Sequence, residues 1–101
     1  MSMKNEDVGL KLLTTFLEKV KEDPRINTSH ISLYVSLIYY WEKQSFKNPV
    51  SFFSHDLKPV CKISGTATYC KSMHDLHDFG YLNYVPSYNH FKGSLIYFYV
   101  G

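Results

Sequence analysis

Apolar side chains recur at helical spacing early in the chain, at Leu10, Leu13, Phe16, Leu17 and Val20, with Lys11, Glu18, Lys19 and Lys21 on the other side. A stripe of that period lets a helix bury one face and solvate the other, so a helix is predicted over residues 8–22. Pro24 stops it, because proline has no amide proton and disfavours the helical conformation in the residue before it. A second helix is predicted to begin at Thr28 or Ser29, either of which can cap it, and to run to residue 43. Ile31, Leu33, Tyr34, Val35, Leu37, Ile38, Tyr39, Tyr40 and Trp41 make it apolar almost all round. Such a helix lies at the centre of a core or half inside a partner's core.

Asn48-Pro49 marks a turn. A short helix is expected over residues 53–61, with Ser51 or Ser54 as its cap and Pro59 limiting its regular hydrogen bonding. Ile63-Ser64-Gly65 forms the next turn, followed by a helix over residues 66–79 with the apolar stripe Tyr69, Met73, Leu76 and Phe79. Gly80 stands where a left-handed C-cap is wanted. After it the period changes to that of strands, in residues 81–85 and 94–100, joined by a turn-rich tip over residues 86–93. This order predicts a mainly α chain with a C-terminal β-hairpin (α+β). It is the order of a winged helix-turn-helix with an extra N-terminal helix, in one domain over residues 1–101. The helix-turn-helix would span residues 53–79 and the wing hairpin residues 81–100. A four-helix bundle would leave the hairpin unexplained, since an isolated hairpin is barely stable in water.

Composition agrees with a folded chain: 101 residues, 45% hydrophobic and 20% charged, with nine Tyr, seven Phe and one Trp. Aromatic side chains bury large areas, so a small chain can build a core from them. No apolar run is long enough to span a bilayer, and the first residues lack the apolar stretch of a signal peptide. A cytoplasmic protein without a membrane partner is expected. Cys61 and Cys70 form neither a disulfide framework nor a zinc motif and are read as reduced thiols. The formal charge of +2 is small, but its distribution is uneven: through Glu42 the chain carries −1, and from Lys43 onward six Lys oppose three Asp.

In a helix-turn-helix the N-terminal part of the second helix enters the major groove of DNA. Here that part carries Ser64, Thr66, Thr68 and Lys71, with Gly65 allowing close backbone approach. Hydroxyls and lysine suit phosphate oxygens and base edges. The alternative is that Ser64 and Thr66 only cap the helix. No Arg, Asn or Gln occurs along this helix, so the commonest base-reading side chains are missing. Asp75 and Asp78 fall at its far end, away from the DNA backbone. Backbone contacts are assigned to Lys62, Lys71 and Lys92, and His90 joins Lys92 as a contact from the wing tip, where Tyr88 and Phe91 can equally fold onto the hairpin. Cys70, His74 and His77 share one flank of the helix. One helix rarely supplies three metal ligands and no fourth is evident, so no metal and no cofactor is expected. With no phosphate loop, metallopeptidase helix or nucleophile elbow, the chain does not read as an enzyme.

The stretches Thr28-Ser-His-Ile-Ser-Leu-Tyr34, Asn48-Pro49, Lys62-Ile-Ser64, Ala67-Thr-Tyr69, Asp75-Leu-His-Asp-Phe-Gly-Tyr-Leu82 and Pro86-Ser-Tyr-Asn-His-Phe-Lys-Gly-Ser94 resemble small winged helix-turn-helix proteins of Bacteroidetes that are often found near mobile genetic elements. The resemblance spans residues 28–94. It implies a winged helix-turn-helix and a DNA-binding regulatory role, with no catalytic residue and no cofactor. Pro59 departs from the ordinary polar helix that the family carries before the turn.

The leading expectation is therefore a protein that binds double-stranded DNA as a transcriptional regulator or mobile-element accessory factor, with a replication initiator as a related reading. The rival is a winged helix used as a protein-interaction module without DNA binding. A polar, basic face over residues 64–74 favours DNA, and an apolar one favours a protein partner. A homodimer through the N-terminal helices or the C-terminal strand is also expected, because the apolar surface exceeds what a monomer needs and two-fold dimers match paired half-sites.

Overall fold

The computed structural model describes residues 5–87 and 91–99. Its first element is the helix Asn5–Val20 (α1), which buries Phe16 and leaves Leu10 and Leu17 exposed. Lys21 and Glu22, expected at its end, lie instead in the turn that precedes Pro24. Asp23 in that turn accepts from the Arg25 guanidinium at 2.9 Å and from the Tyr81 hydroxyl at 2.7 Å. The Arg25 guanidinium lies 4.0 Å over the Phe79 ring. The hydrogen bonds from Arg25 and Tyr81 hold the Asp23 carboxyl well below the usual carboxylate range. Burial, reinforced by that carboxylate, pushes the Tyr81 phenol up to about 12.

The helix Thr28–Lys43 (α2) is capped neither by Thr28 nor by Ser29 but by Asn27, whose side chain accepts from the Ser29 and His30 amides. The Asn27 amide in return donates to His30 Nδ1 at 3.0 Å. A histidine thus takes the place that Glu or Gln usually holds in such a reciprocal box. The helix is central to this chain's own core. Leu33 and Leu37 are completely buried and Tyr34 and Trp41 nearly so, against α1 on one side and the later elements on the other. Phe16 of α1 stacks on Tyr34 at 3.8 Å between ring centroids.

Residues 50–52 differ from expectation. The sequence pattern predicts a turn leading into a helix with Ser51 or Ser54 as its cap, yet Val50–Phe52 forms a strand (β1) with Val50 and Phe52 buried and Ser51 exposed. Three residues are too few for alternation to be read from the sequence, and only pairing with a distant segment makes them a strand. The helix Ser54–Cys61 (α3) follows, with Phe53 at its N-cap position and no side-chain capping bond, so neither serine caps it. Pro59 sits inside α3 and removes the donor that would bond the His55 carbonyl, a tolerable loss where that residue faces solvent.

The helix Thr66–Asp78 (α4) has Gly65 as its N-cap residue. It ends at Gly80, where φ is +86°, with Gly80 N–H bonded to the His77 carbonyl and Tyr81 N–H to the Leu76 carbonyl. Those two bonds form the Schellman arrangement that a glycine permits at low conformational cost. The strands Leu82–Val85 (β2) and Ser94–Phe98 (β3) follow; β2 begins one residue later than the sequence pattern suggests, and Tyr99, expected in β3, lies just beyond it. Of the expected strand residues, Val100 lies outside the described residues. The sheet has three antiparallel strands in the order β1-β3-β2, with Val50 opposite Ile96 and Tyr84 also opposite Ile96.

Two amide side chains extend this sheet. Asn48 donates to the Phe98 carbonyl at 3.2 Å and accepts from its N–H at 3.1 Å, reproducing a pair of ladder bonds just before β1 begins. Gln44 does the same to Ser51, at 2.6 and 3.0 Å. Removing a partner from a partly buried backbone group costs about 1–3 kcal/mol. Asn48→Ala is therefore expected to lower the free energy of urea unfolding by about 1–3 kcal/mol, and Gln44→Ala, whose partner Ser51 is exposed, by less. Equal stability of the Asn48→Ala and parent proteins would remove this clamp from the account.

Candidate nucleic-acid interface

The turn between α3 and α4 is four residues long, Lys62 to Gly65. Its register is fixed by Ile63, which is buried in the core, while Lys62 adopts a left-handed conformation at φ +62° and donates its amide to the Lys58 carbonyl. Lys62, Ser64 and Gly65 are consequently turned outward and exposed. Across the turn, the Ser32 hydroxyl donates to the Cys61 carbonyl and ties the end of α3 to α2.

Helix α4 divides cleanly. Tyr69, Ser72, Met73 and Leu76 are buried, whereas Thr66, Ala67, Thr68, Cys70, Lys71 and His74 are exposed. Gly65 has no side chain to cap the helix, so the capping role considered for Ser64 and Thr66 is not the one their hydroxyls serve. The Thr66 hydroxyl instead accepts from the Lys58 ammonium at 3.0 Å. No carboxylate occurs in the sequence between Asp56 and Asp75, and the exposed surface over residues 64–74 is polar rather than apolar, with Lys71 as its one lysine.

Lys71 is less independent than its position suggested. Its ammonium lies 3.0 Å from Asp75 Oδ2, on a side chain that is 76% exposed. Asp75 is not idle either: the same oxygen is 2.9 Å from His30 Nε2, a residue only 3% exposed. Because His30 Nδ1 accepts from the Asn27 amide, the proton of a neutral ring resides on Nε2 and is donated to Asp75. One imidazole thereby caps α2 and anchors α4. Burial pushes the Asp75 carboxyl upward, but the bonds from His30 and Lys71 outweigh it, and the net shift is downward.

The three potential metal ligands have separate environments. His77 Nδ1 accepts from the Tyr84 amide at 3.0 Å and joins α4 to β2. His74 lies edge-on to the Tyr84 ring at 5.4 Å, and Cys70 is an exposed free thiol. Among the described residues no group of three or more His, Cys, Asp or Glu is placed to hold a metal ion.

Between α3, the first turns of α4 and the hairpin runs an open groove of about 540 Å³. Thr66 and Lys92 of the expected contact set line it, together with His55, Lys58, Tyr69 and Tyr84, which sequence reasoning did not select. Lys58 escaped because Pro59 obscured the geometry of its helix, although its spacing of four residues before Lys62 was visible. Thus Lys62, Ser64, Gly65, Thr66 and Thr68 form one continuous outward surface, Lys71 sits one turn further along it, and Lys92 faces it across the groove. His90 lies outside the described residues.

No protein-family model matches the chain, and no curated protein or solved structure shows significant similarity to it. Among the described residues no helix is long and apolar enough to cross a membrane.

The downward shifts at Asp23 and Asp75 set the sign of an acid effect. A carboxyl with a lowered folded-state pKa contributes stability that is fully present above its unfolded value of about 4 and is lost as the pH falls through the folded value. Unfolding followed by circular dichroism is expected to show constant stability down to about pH 5 and a decline below about pH 4. Asp75→Asn should be less stable at neutral pH and show a shallower acid decline. A decline parallel to that of the parent protein would contradict the His30–Asp75–Lys71 linkage.

Proposed function

We propose that this chain is a winged helix-turn-helix protein that binds double-stranded DNA, with α4 in the major groove and the β2–β3 hairpin as the wing. The observation that carries the reading is the polar, outward-facing surface of Lys62, Ser64, Gly65, Thr66 and Thr68 at the start of α4, with Lys71 one turn further along and paired to Asp75. The arrangement around it supports the same reading. Two helices joined by a four-residue turn containing Gly suit a helix-turn-helix, and a β1-β3-β2 sheet beside them suits a wing. The exposed N-terminus of α4 offers amides and a favourable dipole to a phosphate. Lys62, Lys71 and Lys92 contact the DNA backbone in this proposal, with His90 added from the wing tip. Ser64, Thr66 and Thr68 approach base edges, and Gly65 admits the backbone closely. Without Arg, Asn or Gln on α4, discrimination rests more on hydroxyl and methyl contacts and on DNA shape than on bidentate pairing. The polar character of residues 64–74 favours DNA over an apolar protein partner. A role in transcription or at mobile elements belongs to this proposal and needs a target sequence.

Fluorescence anisotropy with a labelled duplex tests it. Binding is expected to weaken as salt rises, with a log–log slope of about −0.9 for each phosphate neutralised. Lys62→Ala and Lys71→Ala should each weaken binding on all sequences and make that slope shallower by up to about 0.9. A folded protein that binds no duplex at low salt would overturn the reading.

We also propose a homodimer. Leu10 and Leu17 on α1, Val35 and Tyr39 on α2, and Tyr97 and Tyr99 at the last strand are exposed, leaving apolar surface for a second copy at either of the two places. Sedimentation equilibrium should give twice the chain mass. A monomer at working concentration would exclude the dimer while leaving DNA binding open.

A further inference from the structure

The groove beside α4 has a composition that duplex binding leaves unexplained. It is concave, and its volume of about 540 Å³ falls within the usual range of small-molecule sites. Its lining contains Lys58, His55 and Lys92, several hydroxyls and four aromatic residues, and neither Asp nor Glu. Lys58 is only partly exposed, and among the described residues no carboxylate lies within ion-pair distance of it. Its ammonium is held by the Thr66 hydroxyl at 3.0 Å and stands 5.4 Å from the centre of the Tyr69 ring. With a hydroxyl and a ring beside it rather than a carboxylate, the Lys58 charge is left for an anion. The first amides of α4 lie beside it, without a side-chain cap at Gly65.

A second, independent feature is found in the same wall. Tyr69 is only 4% exposed, and its hydroxyl has no hydrogen-bond partner among the described residues. Buried hydroxyls without partners are uncommon in folded proteins. A ligand in the groove that displaces the atoms covering this hydroxyl would supply the partner it lacks. The rings of Phe53 and Tyr84 also line the groove and offer flat apolar surface to a planar group. The bases of an intact duplex are stacked and paired, and cannot enter such a hollow. A single nucleotide can.

We propose that this groove is a binding site for a free mononucleotide, its phosphate taken by Lys58, the Thr66 hydroxyl and the first amides of α4, and its base held against Phe53 and Tyr84. The proposal goes beyond DNA binding and does not depend on it. Titration of the isotope-labelled full chain with AMP, CMP, adenosine and inorganic phosphate, followed by amide chemical shifts, provides the test. Both nucleotides should saturate, with shifts centred on Thr66, Tyr69 and Tyr84, and should bind at least about tenfold more tightly than adenosine or phosphate alone, since each of these offers one half of the contacts. Lys58→Gln should weaken AMP binding about tenfold. Tyr69→Phe should weaken it as well while leaving the melting temperature unchanged or higher, because it removes a buried hydroxyl that nothing in the free protein satisfies. Failure of both nucleotides to saturate at millimolar concentration, or shifts located elsewhere, would overturn the site. Phosphate binding as tightly as AMP would overturn the base-binding half and reduce the groove to an anion site. Loss of duplex binding in anisotropy leaves these outcomes unchanged, so the two readings fail separately.

Discussion

Helix α2 carries apolar side chains around most of its circumference, and they can be kept from water only if several elements surround it. Leu33, Leu37 and Trp41 bury completely or nearly so, each full burial worth roughly 1.5–3 kcal/mol. No single partner helix covers so wide a surface. The chain meets the demand by laying α1 on one side, α3 and α4 on another, and β1 near the C-terminal end. Every later position in the fold is fixed relative to that helix. The outward face of α4 is outward because Tyr69, Met73 and Leu76 are required on the inside.

Polar contacts then decide the details that burial leaves free. Hydrophobic contact is non-directional and would tolerate some sliding of α4 along α2. The His30–Asp75 hydrogen bond, the Ser32–Cys61 bond and the His77–Tyr84 bond each require a single register. The Asp75 carboxylate also draws Lys71 to itself, so the cation furthest along the α4 surface is partly neutralised. The positive character of that surface is therefore concentrated toward Lys62 and Lys58, at the turn and beside the groove, where the α4 amides add their own partial positive charge.

Much of this was legible in the sequence. The helical periods located α1, α2 and α4 to within a few residues, because a 3.6-residue apolar stripe has few other uses. Gly80 marked the end of α4, since only a residue without a Cβ enters a left-handed cap without cost. The exposed residues Lys62, Ser64, Gly65, Thr66 and Thr68 could be named from the turn-helix pattern alone. Caps were less legible. Asn27 was passed over for Thr28 and Ser29, because all three residue types cap well and the His30 ring that completes the box is an unusual partner. Strand β1 was missed for a different reason: Val50, Ser51 and Phe52 are a strand only because Ile96 and Leu95 lie opposite, over forty residues later.

By itself the sequence determined which segments become helices, where the last helix stops, and which short stretch stays free of acids. These properties depend on neighbours within a few positions, where sterics and periodicity act directly. The tertiary structure alone decided that β1 joins the hairpin as a third strand, that Asn48 and Gln44 serve as substitute strand partners, and that Asp75 binds His30. It also brought Lys58, Thr66, Tyr69 and Lys92 around one groove. Each of those outcomes needs two segments far apart in the chain to meet, and their meeting is governed by the shared requirement to enclose α2, which no local pattern encodes.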